Sequence, residues 1–284
     1  MSTIFSFGAI LFDEIEGHYY LGGAPLNFAW YVREFGYEIS MIGCVGTDSL
    51  GDQAIDIISN SGINPLITRS EKPTGIVQVK SDGDFVIYRG SAWEDIPMPD
   101  LTGHKIDLLY FGTLEQISKT NSSTLKSLFR MNPAKVILDL NLRQDLYSKQ
   151  TIINSLGLAS IVKMNKFEWK ALQSMFRIKD PRDLMVTYQI ETLALTRGSQ
   201  EASLFIGSNT YRFKPPTVPH IETTGAGDAF TAALAIGLLK GKDPAVILKN
   251  ACKAGSNTVA ARGALVKIDP ALRKSLSCKD LNIP

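Results

Sequence analysis

Cysteine is scarce in these 284 residues: Cys44, Cys252 and Cys278 are scattered and show no metal-ligand spacing. They read as buried, reduced thiols. An excess of one charge is missing too, since the formal net charge is only +2 and no basic block occurs, which speaks against a nucleic-acid partner. No apolar run has membrane-spanning length. The opening Met1-Ser2-Thr3-Ile4-Phe5-Ser6-Phe7 lacks a basic n-region and a cleavage site, so it reads as a first strand and the expected compartment is the cytoplasm. Asn121-Ser122-Ser123 is formally a glycosylation sequon, which means little without a secretory signal. Two nucleotide motifs are also lacking. Without Gly-x-x-x-x-Gly-Lys-Ser/Thr the chain is no P-loop kinase, and after Gly225 and Gly227 the third position of Gly-x-Gly-x-x-Gly is Phe230, which disfavours a dinucleotide enzyme.

What is present is 44% hydrophobic residues, enough for a large core in one domain spanning 1–284. Short apolar strands, Leu108 to Phe111, Val136 to Asp139, Ile161 to Met164 and Thr192 to Leu195, alternate with helices. That rhythm predicts an α/β fold with a mostly parallel sheet covered on both faces. Ile4 to Phe12 reads as the first strand, with Asp13 just past its carboxyl end, where open α/β sheets bind ligands. Gly22 and Gly23 allow close backbone approach and precede a helix running to about Phe35. Asn27 on its first turn offers a donor and an acceptor suited to a hydroxyl. Two alternating segments between Thr74 and Arg89, joined by Ser81-Asp82-Gly83-Asp84, predict a hairpin outside the βα rhythm. With residues from about 14–22, the segment 74–93 is expected to form a small lid.

The stretch from Ile221 to Leu239 organises the rest. Small residues lead into a nearly all-apolar helix starting near Ala226, with Thr224 as the expected cap. Gly225 and Gly227 bare the backbone so that amides converge on an anion at the positive end of the helix dipole. One carboxylate, Asp228, sits in that cradle. This suits a general base beside a phosphoryl group in transfer, though a tight turn and ordinary first-turn stabilisation by Asp would look the same locally.

Thr223-Thr224-Gly225-Ala226-Gly227-Asp228-Ala229-Phe230 resembles the C-terminal signature of the PfkB/ribokinase family of carbohydrate kinases. Gly22, Gly23 and Asn27, followed by Val45, Gly46, Asp48 and Gly51, resemble its N-terminal signature. The resemblance implies a ribokinase-like fold with a β-lid, and a kinase that uses ATP and Mg²⁺. It makes Asp228 the catalytic base and Gly225, Ala226 and Gly227 the anion hole, with Gly225 and Gly227 also touching nucleotide. Asp13, Gly22, Gly23, Asn27, Arg89, Asn141 and Arg143 are then expected to bind sugar. Asn165, Thr196, Gly198 and Asn257 are expected at the nucleotide. Glu168 is expected near Mg²⁺ through water, and Glu222, where the family usually has Asp, at a monovalent-cation site for K⁺. The Asp139-x-Asn141-x-Arg143 set and the run from Arg89 to Ile96 resemble the fructokinase branch, although Arg89 and Trp93 also read as a solvated charge and ordinary packing. Ala9 departs from that branch, which often has Glu there. Fructose is the leading substrate, with ribokinase, 2-keto-3-deoxygluconate kinase and a non-catalytic sugar- or nucleotide-binding protein as alternatives. The lid implies a homodimer.

Overall fold

The computed structural model describes residues 3–79, 85–144, 146–219, 221, 223–260 and 263–276. Thirteen strands are described: β1 Ile4–Phe7, β2 Leu11–Ile15, β3 His18–Gly22, β4 Ile39–Gly46, β5 Asn64–Ser70, β6 Gly75–Val79, β7 Phe85–Ile87, β8 Leu108–Phe111, β9 Lys135–Asp139, β10 Ile161–Asn165, β11 Thr192–Thr196, β12 Ala202–Ile206 and β13 Asn209–Phe213. The described helices are α1 Ala24–Glu34, α2 Ser49–Asn60, α3 Lys119–Arg130, α4 Lys149–Leu156, α5 Lys166–Phe176, α6 Pro181–Tyr188, α7 Ala226–Leu239, α8 Pro244–Val259 and α9 Pro270–Leu276. None of them is long and apolar enough to cross a membrane.

The large sheet has the order β13-β12-β11-β10-β9-β8-β1-β4-β5. It is parallel from β5 to β11 and ends in an antiparallel hairpin, β12–β13. Alternate residues on each strand feed two cores, as a period of two requires. Leu108, Tyr110, Ile137 and Ile161 join α1, α2, α7, α8 and α9 on one face. Leu109, Phe111, Val136, Leu138, Val162 and Met164 join α3, α4, α5 and α6 on the other. Strands buried on both faces read as continuous apolar runs, which is why they were visible in the sequence. The edge hairpin and α9 were not anticipated. The chain leaves β1 first toward β4 and β5, then returns to β8 on the other side, so a crevice opens at the carboxyl ends beside β1.

The first strand is shorter than the sequence reading. At Gly8 (φ 147°) the backbone turns out of the sheet, and the Ala9 amide donates to the buried Glu115 carboxylate at 3.0 Å. The chain then enters a second sheet of order β3-β2-β6-β7. Asp13 therefore lies within β2, opposite Tyr20 on β3 and Val77 on β6, and not just past the end of the first strand. The small sheet accordingly begins at Leu11 and not near residue 14. The turn Ser81-Asp82-Gly83-Asp84 lies outside the described residues. Where this sheet meets the main body, Ala9, Leu11, Val77, Ile87 and Leu114 pack around the fully buried Trp93. Asn121, also fully buried, binds the backbone of Trp93 (2.9 Å) and Ile96 (2.8 Å), so the formal sequon is spent on fixing this segment. Cys44 and Cys252 are buried free thiols, and burial pushes Cys252 up to about 12.

Asp48 joins the two sheets. It is the N-cap of α2, accepting from the Gly51 amide at 2.8 Å, and it also accepts from the Thr74 amide (2.7 Å) and hydroxyl (2.6 Å) at the entry to β6. Partial burial opposes its ionisation, but the bonds from Thr74 and Gly51 outweigh this and hold the carboxyl below its usual range. Losing the cap and the charge-assisted bonds together is worth about 2–3 kcal/mol. Asp48→Ala should lower the urea midpoint at pH 7 accordingly. The native contribution is present above the ordinary carboxylate range and lost as pH falls below it, so the two proteins should converge in acid.

Candidate active site

Helix α7 opens without a side-chain cap. Its N-cap is Gly225, with φ 77°, and not Thr224. A side chain at Gly225 would be strained by that φ and would meet the Ala264 carbonyl at 2.6 Å. That carbonyl accepts from the buried Tyr31 hydroxyl at 2.6 Å, so α1, the 263–268 segment and the start of α7 form one rigid corner. From Ala229 to Gly237 every α7 residue is buried. The helix must sit deep, and it carries Asp228 down with it.

Asn27 on α1 reaches this carboxylate across 201 residues of sequence, its Nδ2 donating to Asp228 Oδ2 at 2.8 Å. The amide oxygen of Asn27 is buried and has no protein partner. Asp13 lies close by: a β-carbon added at Gly22 would be 3.1 Å from Asp13 Oδ2 and 4.0 Å from Asn27 Oδ1. Two acceptors thus flank Gly22, a disposition suited to a ligand that donates several hydroxyl protons. Gly23, with φ 108°, is the N-cap of α1, and its backbone presses on the Ala9 carbonyl, which a β-carbon would approach to 2.4 Å.

Beneath α7 lies a buried ion pair. Lys163 and Asp139 are register partners on β10 and β9, and both project to the α7 face. The Lys163 Nζ is 3.1 Å from each Asp139 oxygen. Thr231, one turn beyond Asp228, donates to Asp139 Oδ2 at 3.1 Å. Burial and then the neighbouring Asp139 charge push the Asp228 carboxyl up to about 6, while Asn27, Lys163 and Arg143 pull the other way. A carboxylate poised near neutrality is what proton abstraction at physiological pH asks for.

The remaining expected site residues divide. Asn141 follows β9 in a left-handed conformation (φ 42°), which Asn tolerates better than most residues. Arg143 places its guanidinium 5.4 Å from the centre of the Phe85 ring on β7 and acts on Asp228 electrostatically. Next to it, Gln144 donates to the Phe85 carbonyl. Arg89 is instead spent in a surface ion pair with Glu94 at 2.8 Å. Asn165 caps α5, and Glu168 completes the capping box. The Glu168 oxygens accept from the Asn165 amide (2.6 Å) and the Leu142 amide (3.2 Å), and the side chain is buried. Glu168 is therefore not set up as a direct metal ligand, and no group of three metal-binding side chains exists among the described residues. Thr196 ends β11, and Gly198 follows in an open turn with φ 63°. Asn257 has both ends of its amide engaged, with the Lys267 carbonyl and the Asp269 amide at 3.0 Å each. Its place is a clamp between α8 and the following segment, and not a free contact for a nucleobase. Glu222 lies outside the described residues.

Lys163, Tyr110 and Glu115 were missed by the sequence reading. Tyr110 is fully buried, stacked on Phe28 with ring centres 4.2 Å apart. Burial and the nearby Asp139, Asp228 and Glu115 carboxyls hold its hydroxyl well above the usual range. Burial likewise raises Glu115. For Lys163 a signal existed: a lysine inside an apolar strand of a doubly covered sheet must find a buried counter-charge.

Known proteins are similar to this chain at modest identity. Aminoimidazole riboside kinase of Salmonella typhimurium is 26% identical over 268 residues, covering 87% of this chain and 84% of its own. A fructokinase of Escherichia coli is 25% identical over 272 residues, covering 87% and 88%. Among solved structures, an uncharacterized sugar kinase of Pyrococcus horikoshii in complex with ATP superposes with a TM-score of 0.81 at 26% identity, over 92% of this chain and 94% of that one. The model of the pfkB family carbohydrate kinases matches residues 7–270, a span that takes in both the β2–β3 segment bearing Asp13 and the helix bearing Asp228, and the chain belongs to that family.

Proposed function

We propose that this sugar kinase transfers the γ-phosphoryl group of MgATP to a hydroxyl of a furanose sugar, with fructose the leading acceptor and Asp228 the general base. The observation that carries the reading is the 2.8 Å bond between Asn27 and Asp228. It brings Asn27, on the first turn of α1, to the one acid on the first turn of α7. Support for a furanose comes from the names of the relatives: aminoimidazole riboside, and fructose in its furanose form, both present an exocyclic hydroxymethyl group on a five-membered ring. Support for fructose is the Asp139-x-Asn141-x-Arg143 set.

In this reading Asp13, Asn27 and Asn141 take the sugar hydroxyls, and Asn27 holds Asp228 by Oδ2 while Oδ1 receives the proton. The hydroxyl oxygen attacks the γ-phosphorus, ADP leaves, and the proton rests on Asp228. The amides of Gly225, Ala226 and Gly227 face the charge that develops on the transferring group. Arg143 adds a positive charge on the side of the small sheet. Magnesium enters as part of the nucleotide substrate, in keeping with its habit of binding through phosphates with few protein ligands. On the small sheet Tyr19 and Tyr88 lie on one face, 44% and 45% exposed, while Tyr20, opposite Asp13, lies on the other, and we read the face of Tyr19 and Tyr88 as a homodimer contact.

Three outcomes test the proposal. With MgATP and a panel of fructose, ribose, aminoimidazole riboside and 2-keto-3-deoxygluconate, ADP release should be fastest with fructose. A clear preference for another sugar reassigns the substrate, and no turnover with any of them supports the non-catalytic alternative. Asp228→Asn should lower kcat by about two to four orders of magnitude, with kcat/KM of the unaltered enzyme falling as pH drops through about 6. Holding this carboxyl ionised in the fold costs up to about 3 kcal/mol at pH 7, so the same variant should melt several degrees higher. That gain is full above about pH 6 and fades toward the unfolded value near 4. A variant both active and no more stable would return Asp228 to the role of a helix-start residue. Finally, sedimentation at micromolar concentration should give a dimer mass, and Tyr19→Asp should shift it to monomer.

A further inference from the structure

Two carboxylates crowd the first turn of α7, and their arrangement decides which of them takes a proton. Asp139 rises from β9 and Asp228 descends from α7, while one buried ammonium, Lys163, stands with them at 6% exposure. Lys163 makes both of its short contacts with Asp139. It also fills the space beside Gly227, where an added β-carbon would lie 2.9 Å from Nζ. The glycine thus admits the lysine as well as baring its own amide. Thr231 closes the unit, its single hydroxyl proton shared between Asp139 Oδ2 at 3.1 Å and the Gly227 carbonyl at 2.8 Å.

We propose that Lys163 is a positioning residue for the transfer: it takes Asp139 as its fixed counter-ion beneath the anion cradle and leaves Asp228 as the single carboxylate available to accept the substrate proton. Without the ammonium, the Asp139 charge would act on Asp228 unopposed and raise its proton affinity further. Without Asp139, the ammonium would turn to Asp228 and weaken it as a base. The pair also sets a positive charge under the Gly227 amide, on the side where the transferring group gains negative charge.

Among the described residues, other groups act on Asp228 too, and Asp13 lies beyond Asn27 across Gly22. Asn27 and Tyr31 come from α1, Tyr110 from β8 and Arg143 from the turn after β9. Glu168, at the start of α5, acts on Lys163. Arg143 lies over the Phe85 ring at 5.4 Å. The Asp139–Lys163 pair is the buried ion pair among these groups.

The proposal rests on Asp228 being the base, and its test keeps the two apart. The readouts are the acid limb of kcat/KM and, independently of turnover, the NMR titration of the Asp228 carboxyl carbon in Asp-labelled protein. Loss of that signal in Asp228→Asn assigns it. Asp139→Asn should move both readouts down by at least about half a pH unit, and Lys163→Met should move both up by as much. The double variant Lys163→Met/Asp139→Asn, a neutral pair of the kind buried sites tolerate, should fall between them; if Lys163→Met does not fold, it and Asp139→Asn carry the test. Slower turnover in every variant with an unmoved titration would make the pair purely structural and overturn the proposal. If Asp228→Asn keeps its turnover, the base assignment fails, while the NMR titration still reports whether the pair governs the Asp228 proton.

Discussion

Taking a carboxylate out of water at the start of an apolar helix is the constraint on which this molecule turns. Asp228 cannot be moved to the surface without pulling a helix buried from Ala229 to Gly237 out of its seat between α1, α8 and the sheet. Its surroundings therefore have to make the ionised form bearable without making it inert. Asn27 supplies one strong donor, Lys163 a cation already shared with Asp139, and Arg143 a cation kept at arm's length. Removing burial would give a carboxylate too weak to take a hydroxyl proton, and a closer cation would do the same. The raised proton affinity is the compromise between the two.

Several residues that resemble motif positions are used here to build backbone. Asp48 caps α2 and pins the entry to β6; Asn165 and Glu168 form a capping box; Asn257 clamps α8 to the segment bearing Asp269. Such residues hold the carboxyl ends of the strands at fixed heights, and the crevice is the space left between them. A residue can sit in a signature because the loop needs it, without touching ligand. The separation is visible in hydrogen-bond capacity: a carboxylate whose two oxygens already accept backbone amides, as in Glu168, has little left for an ion.

Much of this was legible in the chain. Strands with both faces covered are apolar throughout, so Leu108 to Phe111 and Ile161 to Met164 announced the parallel sheet. The glycines, Asp228 and Asn27 pointed to the crevice through their resemblance to the family signatures, since a glycine turn before a helix is common in itself. What was not legible was geometry that depends on a single torsion or on distant partners. The bend at Gly8 moves Asp13 from one sheet to another, and a glycine in a β-like run gives no sign of the direction it turns. The pairing of Lys163 with Asp139 depends on which strands lie side by side. Nor was the partner of Arg89 legible, because a basic residue beside a lid looks alike whether it faces the crevice or, as here, pairs with Glu94.

The bond between Asn27 and Asp228 has a consequence for how the molecule is made. A chain growing from its amino end lays down β1, the small sheet and most of the large sheet before α7 exists. Contacts of such separation are closed late, because the entropy of the long loop must be overcome first. Throughout synthesis the half bearing Asp13 and Asn27 is present without Asp228, and the glycine-led start of α7 has yet to be made. The crevice is thus incomplete until α7 has emerged and docked against α1 and α8. The last wall of the site and the last large piece of the core arrive together, in one docking event.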